Sequence, residues 1–453
     1  MLLSGFFLSA LMPCAFAAGD IHEIPAFTSD DRVLVLAPHP DDEALGAGGV
    51  IQRALKAGAR VQVVCYTNGD HNELAFIVYE KRFTFRTGEF LYMGEMRRSE
   101  TIKAMTFLGL PRDEMVFLGY PDFGTMAILT QYWKSAKPCR SLLTRISKVA
   151  YSEALSPGAP YVGESILKDI KTVIENFQPT RIFVSHPADT NRDHQSLYLF
   201  TRLALWDLEN RLIQPKIYPY LIHVVGWPKP RGHHLDLPLD PPDKLSGVSW
   251  QQLSLSPEEA KIKQTVVDFY KTEIEYNPPY LFTYVRRNEL FGDFPEVRLS
   301  NSGAGPFDWK DVALFPERSV GNNEKPDTRS QEPVSGLAYA VKDKDLFVRL
   351  DLRRKIDKNL GILIYLLGYN KNVSFADMPK ISINIGFLGM KIRERGRLIS
   401  VPDAQMRFEG RSLIIKVPMA VLGGPDRILS RVKARTAKFP FAASAWRVLR
   451  IEK

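Results

Sequence analysis

Two polar clusters in this 453-residue chain hold side chains suited to metal chemistry. The first, His39-Pro40-Asp41-Asp42-Glu43, presents one imidazole and three carboxylates. The second runs His186-Pro187-Ala188-Asp189-Thr190-Asn191-Arg192-Asp193-His194. Two histidines and a carboxylate drawn from such clusters can converge into a His₂Asp set. Three protein ligands with one position left open is the pattern of catalytic zinc. Iron, cobalt and manganese also accept imidazole with carboxylate. A turn this acidic repels phosphate, and Gly46, Gly48 and Gly49 do not form the spacing of a dinucleotide loop, so nucleotide binding is excluded.

Both clusters follow short apolar runs. Residues 32–37 (Arg-Val-Leu-Val-Leu-Ala) and 181–185 read as buried parallel strands, and ligands in open α/β sheets bind beyond the carboxyl ends of such strands. A helix predicted over 48–56 and a strand over 60–66 complete a strand–helix–strand unit. The alternation continues with helices at 93–108, 166–177 and 197–208 and strands at 115–118 and 218–225. Ser256-Pro257-Glu258-Glu259 opens a last helix with an N-cap, a proline and first-turn acids. Residues 124–164 fit no element and read as an insertion that could cover a site. Past a Gly/Ser/Asn linker at 300–306 the period becomes two, with strands at 337–341, 346–352, 362–367, 381–385, 413–417 and 446–451. The expected fold is therefore α/β over 28–299, a Rossmann-like, mostly parallel sheet with helices on both faces, followed by an antiparallel β-sandwich over 307–453.

Composition narrows the classes further. The chain is 45% hydrophobic and 25% charged, which excludes disordered, collagen-like and coiled-coil proteins. Net charge is +9, but residues 301–453 carry 28 basic against 16 acidic side chains, whereas residues 1–300 are slightly acidic. Residues 1–18 have an apolar stretch, Pro13 and the small-residue pattern Ala15-Phe16-Ala17, the parts of a signal peptide. Export to the periplasm or medium is the expected address, with Cys14 as a lipoprotein cysteine the alternative. The apolar run is too short to span a bilayer, so no integral span is expected after processing. Cys65 and Cys139 read as free thiols. No nucleic-acid motif accompanies the basic third.

His39-Pro40-Asp41-Asp42-Glu43, with Asp193-His194 far downstream, resembles the LmbE-like or PIG-L de-N-acetylases, over roughly residues 30–292. The resemblance implies a zinc hydrolase that deacetylates N-acetylglucosaminyl substrates. It implies His39, Asp42 and His194 as zinc ligands, Asp41 as general base, and Asp193 orienting a ligand or a catalytic histidine. Arg97, in Arg97-Arg98-Ser99-Glu100 and with Arg98 as its competitor, and Asp122, in Gly119-Tyr120-Pro121-Asp122, match positions near the sugar. Glu43 is expected to hold the loop. There is one departure. Members commonly carry a histidine three residues before the last ligand, where this chain has Asn191, which can touch substrate but cannot deliver a proton. His223, whose other reading is a core histidine, and His186 are the candidates to replace it. The C-terminal region resembles, in strand pattern, sandwich modules related to family-nine carbohydrate-binding and DOMON-like domains. Trp309, Tyr365, Tyr369 and Trp446 could stack on sugars there, and more of them are expected to fill the core.

The expected activity is removal of N-acetyl groups from a GlcNAc-containing glycan or glycoconjugate by an exported zinc enzyme. An anionic envelope polymer is the candidate partner of the basic domain. Asn191 motivates the alternative, a glycan-binding protein that keeps the fold and metal but has lost turnover.

Overall fold

The computed structural model describes residues 21–81, 86–243, 245, 247–301, 309, 333–353, 355–356, 360–436, 442–443 and 445–452. The predicted signal peptide and most of the predicted linker lie outside these residues. Strands β1 (His22–Glu23), β2 (Arg32–Ala37), β3 (Arg60–Thr67), β4 (Met115–Tyr120), β5 (Arg181–Ser185), β6 (Lys216–Tyr220), β7 (Ser249–Ser254) and β8 (Asn288–Asp293) form one sheet, in the order β1-β7-β8-β6-β5-β2-β3-β4. From β6 to β4 all pairings are parallel; β8 runs antiparallel to β6 and β7. β2 is buried on both faces, as its uninterrupted apolar run requires. Val33 and Val35 enter one core, Leu34 and Leu36 the other.

The helices are α1 (Asp42–Lys56), α2 (Glu73–Glu80), α3 (Thr87–Phe107), α4 (Thr125–Gln131), α5 (Gly163–Phe177), α6 (Arg192–Asp207), α7 (Pro257–Val267), α8 (Lys271–Ile274) and α9 (Pro278–Phe282). α7 carries the expected capping box between Ser256 and Glu259. α1 starts six residues earlier than predicted, with Asp42 and Glu43 in its first turn, where carboxylates meet the positive end of the helix. It breaks at Ala47, and a buried pair bridges the break. Glu289 accepts from Gly49 N (2.7 Å) and Val50 N (3.0 Å), while Lys263 donates to Leu45 O (2.8 Å) and to Glu289 (2.6 Å). The strand predicted to reach residue 225 stops at Tyr220, which leaves His223 in the loop beyond the sheet. Within 124–164, residues 125–131 are helical; the irregular remainder buries Trp133, Tyr151 and Tyr161 against the core.

The C-terminal strands are β9 (Val297–Ser300), β10 (Val334–Lys342), β11 (Asp345–Leu352), β12 (Leu360–Tyr369), β13 (Lys380–Gly386), β14 (Gly389–Glu394), β15 (Arg397–Ile399), β16 (Gln405–Glu409), β17 (Ser412–Pro418), β18 (Arg427–Thr436), β19 (Ala442–Ala443) and β20 (Arg447–Glu452). They build a sandwich of β10-β11-β17-β16 on β15-β14-β13-β12-β18-β20-β9, with β19 beside β18. Leu346, Val348 and Leu350 face Ile362, Ile364 and Leu366 in its core. β9, ahead of the predicted boundary, pairs in parallel with β20.

The sandwich packs on the first domain. Leu367, Tyr369, Phe375, Leu429, Trp446 and Val448 share one core with Trp133, Trp206 and α5. Of the aromatic candidates, Tyr369 and Trp446 fill the seam and Trp309 packs against Ala338, Ala340 and Ile414, so these three take the core role rather than the sugar-stacking one. Cys65 and Cys139 are buried free thiols.

Candidate metal centre

The loops leaving β2 and β5 bring the two polar clusters together. His39 Nδ1 lies 3.2 Å from Asp42 Oδ2 and 3.3 Å from His194 Nε2, and His194 Nε2 lies 3.1 Å from the same Asp42 oxygen. All three residues are buried. The potential ligand atoms of His39, Asp42, His194 and His223 all fall within 4.8 Å of one another. Buried imidazoles and a carboxylate converging on one point fit a divalent transition ion.

Each ligand candidate is oriented from behind. His39 Nε2 faces Asp122 Oδ1 at 3.1 Å and Asp193 Oδ2 at 3.6 Å. His194 Nδ1 lies 3.1 Å from Asp189 Oδ2. The same Asp189 oxygen accepts from Ile222 N (3.2 Å) and His223 N (2.9 Å), and its other oxygen accepts from Asn191 N (2.8 Å). Carboxylates behind imidazoles fix ring orientation and tautomer. Asp122, expected beside the sugar, thus points at His39. Asp193 accepts from Phe123 N (2.6 Å) and from the Thr125 hydroxyl. His39, Asp122 and Asp193 form a second group close enough to share an ion.

Asp41 stands on the other side of the turn with a backbone φ of 121°, a conformation costing a non-glycine residue about 1–3 kcal/mol. Two groups hold it there. Glu43 accepts from Asp41 N (3.1 Å) and from the Tyr270 hydroxyl (2.6 Å), so it does brace the loop. Arg97 is buried and donates to Pro40 O (3.0 Å), Gly69 O (3.1 Å) and Asp41 Oδ2 (3.4 Å), with Glu273 3.2 Å away. A Cβ on Gly69 would lie 2.1 Å from the guanidinium, so only glycine admits this approach. Arg97, expected at the sugar, instead grips the turn.

The neighbouring aspartates titrate in opposite directions. Burial and the charge of Asp42 push Asp41 well above the ordinary carboxylate value, against the pull of Arg97. Burial also opposes ionisation of Asp42, but His194 and His39 outweigh it and hold that carboxyl well below its usual range. Such a divergence separates a proton acceptor from a ligand. Burial lowers His194, yet Asp189 and Asp42 raise it to about 9. Burial takes His223 down to about 4, so its ring is neutral.

His223 is brought into the cluster: its ring packs edge-on against His194 at 4.6 Å, and its Nδ1 meets the Tyr280 hydroxyl at 2.6 Å. His186 is not. It stacks on Trp250 at 5.6 Å, and its Nδ1 accepts from Ala188 N. Asn191 caps α6, accepting from Asp193 N at 2.8 Å. Sequence reasoning missed Asp189, whose only signal was its place in the second cluster, and Tyr280 and Glu273, which had none.

An α/β sheet with a buried His/Asp set at its strand ends defines the class: a protein with a candidate catalytic metal centre. Residues 34–205 match the family model "PIG-L: GlcNAc-PI de-N-acetylase", and this stretch is a PIG-L, LmbE-like, de-N-acetylase domain. Similar solved structures include a conserved protein of Thermus thermophilus (20% identity, 56% of this chain and 84% of that one, TM-score 0.34). Others are N,N'-diacetylchitobiose deacetylase from Pyrococcus horikoshii (17%, 58% and 83%, 0.35) and a zinc-inhibited form of teicoplanin deacetylase (16%, 56% and 90%, 0.36). No curated protein sequence matches the chain. Among the described residues no helix is long and apolar enough to cross a membrane.

Proposed function

We propose that this protein is an exported, zinc-dependent amidohydrolase that removes N-acetyl groups from a GlcNAc-containing glycan or glycoconjugate. The observation that carries the reading is the convergence of His39 Nδ1, Asp42 Oδ2 and His194 Nε2 beside an aspartate of opposite titration. Those three residues would hold the ion, with His223 closing the set or facing the substrate. When bound there, zinc supplies Lewis acidity, acidifying a water and polarising the amide carbonyl.

The chain's own groups do the rest. Asp41, with its raised affinity for a proton, takes one from the attacking water and returns it to the departing amine. Asp122 and Asp189 keep the imidazole lone pairs of His39 and His194 turned inward. Arg97 positions Asp41 and neutralises Glu273. Asn191 is committed to its helix cap, so the proton goes back through Asp41 or through His223, whose Nδ1 meets the Tyr280 hydroxyl. That commitment also favours the second reading, a glycan binder without turnover.

Metal analysis and amine release from N-acetylglucosamine oligomers separate these readings, on protein lacking residues 1–18 and on Asp41→Asn. We expect about one zinc per chain in both proteins. Amine release should fall by about 10²–10⁴-fold in Asp41→Asn. Metal without amine release from the parent favours the second reading. No metal in protein purified without chelator overturns both.

A further inference from the structure

The outward face of the sheet β15-β14-β13-β12-β18 carries a charge pattern that the candidate centre does not use. Ile362, Ile364, Ile381, Ile383, Ile392 and Val432 point into the sandwich core, so the alternate positions face the other way. Among the described side chains at those positions on β12, β13, β14 and β18 the charged residues are Lys380, Lys391, Arg393, Arg427, Arg431 and Lys433. None is acidic.

One end of the face is covered by the first domain. Arg427 pairs with Glu209 at 2.8 Å, and Lys380 Nζ lies 4.9 Å from the centre of the Trp133 ring. The other end runs on past the seam. Tyr365, between buried Arg431 and Ser382 on its neighbouring strands, lies at the edge of the seam with its ring 5.7 Å from that of Trp446, and beyond it Asn384 lies opposite Lys391. The Lys433 ammonium is 5.6 Å from the centre of the half-buried Tyr365 ring. The face also touches the loop of the candidate centre. Arg431 donates to Gln195, the residue after His194, in the first turn of α6. Arg192, exposed at the start of that helix, adds its charge. Burial, with the like charges of Arg431 and Arg192, pushes Lys433 down to about 7.

We propose that this end of the face, from Tyr365 and Lys433 to the exposed Lys391, binds an acidic glycan, a polysaccharide whose sugar rings carry carboxylates, alongside the metal centre. Cations of one sign attract the carboxylates, and guanidinium groups pair with them bidentately. Ser382 and Asn384 match sugar hydroxyls, and the Tyr365 ring offers an apolar plane with a polar edge. The inference rests on the glycan reading above and extends it to the charge of the substrate.

The test is electrophoresis of the full chain through gels containing polygalacturonate, neutral dextran, polyphosphate or single-stranded DNA. Polygalacturonate should retard the protein, less so as salt rises, and more than the other three polymers. The triple variant Lys391→Ser/Arg393→Ser/Lys433→Gln should bind about tenfold more weakly at an unchanged Tm. Tyr365→Ala should weaken binding on its own, and so guards against a triple variant that fails to fold. No retardation at low salt, or equal retardation of the triple variant, overturns the proposal. Retention by polyphosphate or DNA as strong as by polygalacturonate also overturns it, leaving a general anion surface. The two readings fail separately. A chain that releases amine but ignores polygalacturonate defeats this inference alone, and one that binds the polymer without releasing amine defeats only the hydrolase.

Discussion

The two loops that supply the candidate centre are held in different ways. The turn at 38–43 is strained at Asp41 and gripped from inside its own domain by Arg97, Glu43 and Tyr270. The loop at 186–194 is relaxed: Asn191 caps a helix, and Asp189 gathers His194 and the backbone of 222–223 around one carboxylate. Its outer grip comes from the sandwich, through Arg431 on Gln195 and Trp446 N on Pro187 O at 3.2 Å. His194, one of the three candidate ligands, is thus steadied by residues well outside the stretch that matches the family model. The matching stretch, 34–205, contains the candidate ligands His39, Asp42 and His194 but not everything that keeps them in place.

Breaking the strained turn should do the most damage. Arg97→Met leaves buried Asp41 and half-buried Glu273 without their counter-charge, and we expect a loss of about 3–5 kcal/mol by chemical denaturation. An unchanged stability would mean that the turn needs no such clamp. On the relaxed loop, Asp189→Asn keeps the shape but weakens the hold on His194. Zinc retention against a competing chelator should fall about 10–100-fold. The smallest effect sharpens the comparison. Arg431→Met takes a donor from Gln195 across the seam, and should cost about 1–3 kcal/mol and loosen the metal several-fold. Metal retention equal to the parent's would show that the sandwich has no hold on the loop.

Much of this was legible in the sequence, for a physical reason. The His39–Glu43 turn is legible because five adjacent residues after a buried strand carry its imidazole and carboxylates, although distant Arg97 and Tyr270 hold its geometry. β2 and β5 were readable because burial on both faces demands an unbroken apolar run, and β3 because only Gln62 interrupts its run. Other features depend on distant segments meeting, which no local pattern encodes. Tyr280 reaches His223, Arg97 reaches under Asp41 through the gap at Gly69, and Arg431 reaches Gln195. β18 was missed because its outward positions mix Leu429, needed at the seam, with Arg427, Arg431 and Lys433, which blurs the two-residue period. Asn191 was read for its chemistry, although the Asn-x-Asp spacing before α6 is also a capping signal.

The parallel pairing of β9 with β20 also bears on the order in which the molecule becomes complete. During synthesis β9 emerges just after the first domain and must wait, its edge unpaired, while the rest of the sandwich is made. β20 fills the place between β18 and β9, and Trp446, just before it, reaches Pro187 at the site loop. Among the contacts described for that loop, the one to Trp446 comes from the latest residue made. A nascent chain halted before β20 would carry every ligand of the centre and still lack part of the brace that steadies them.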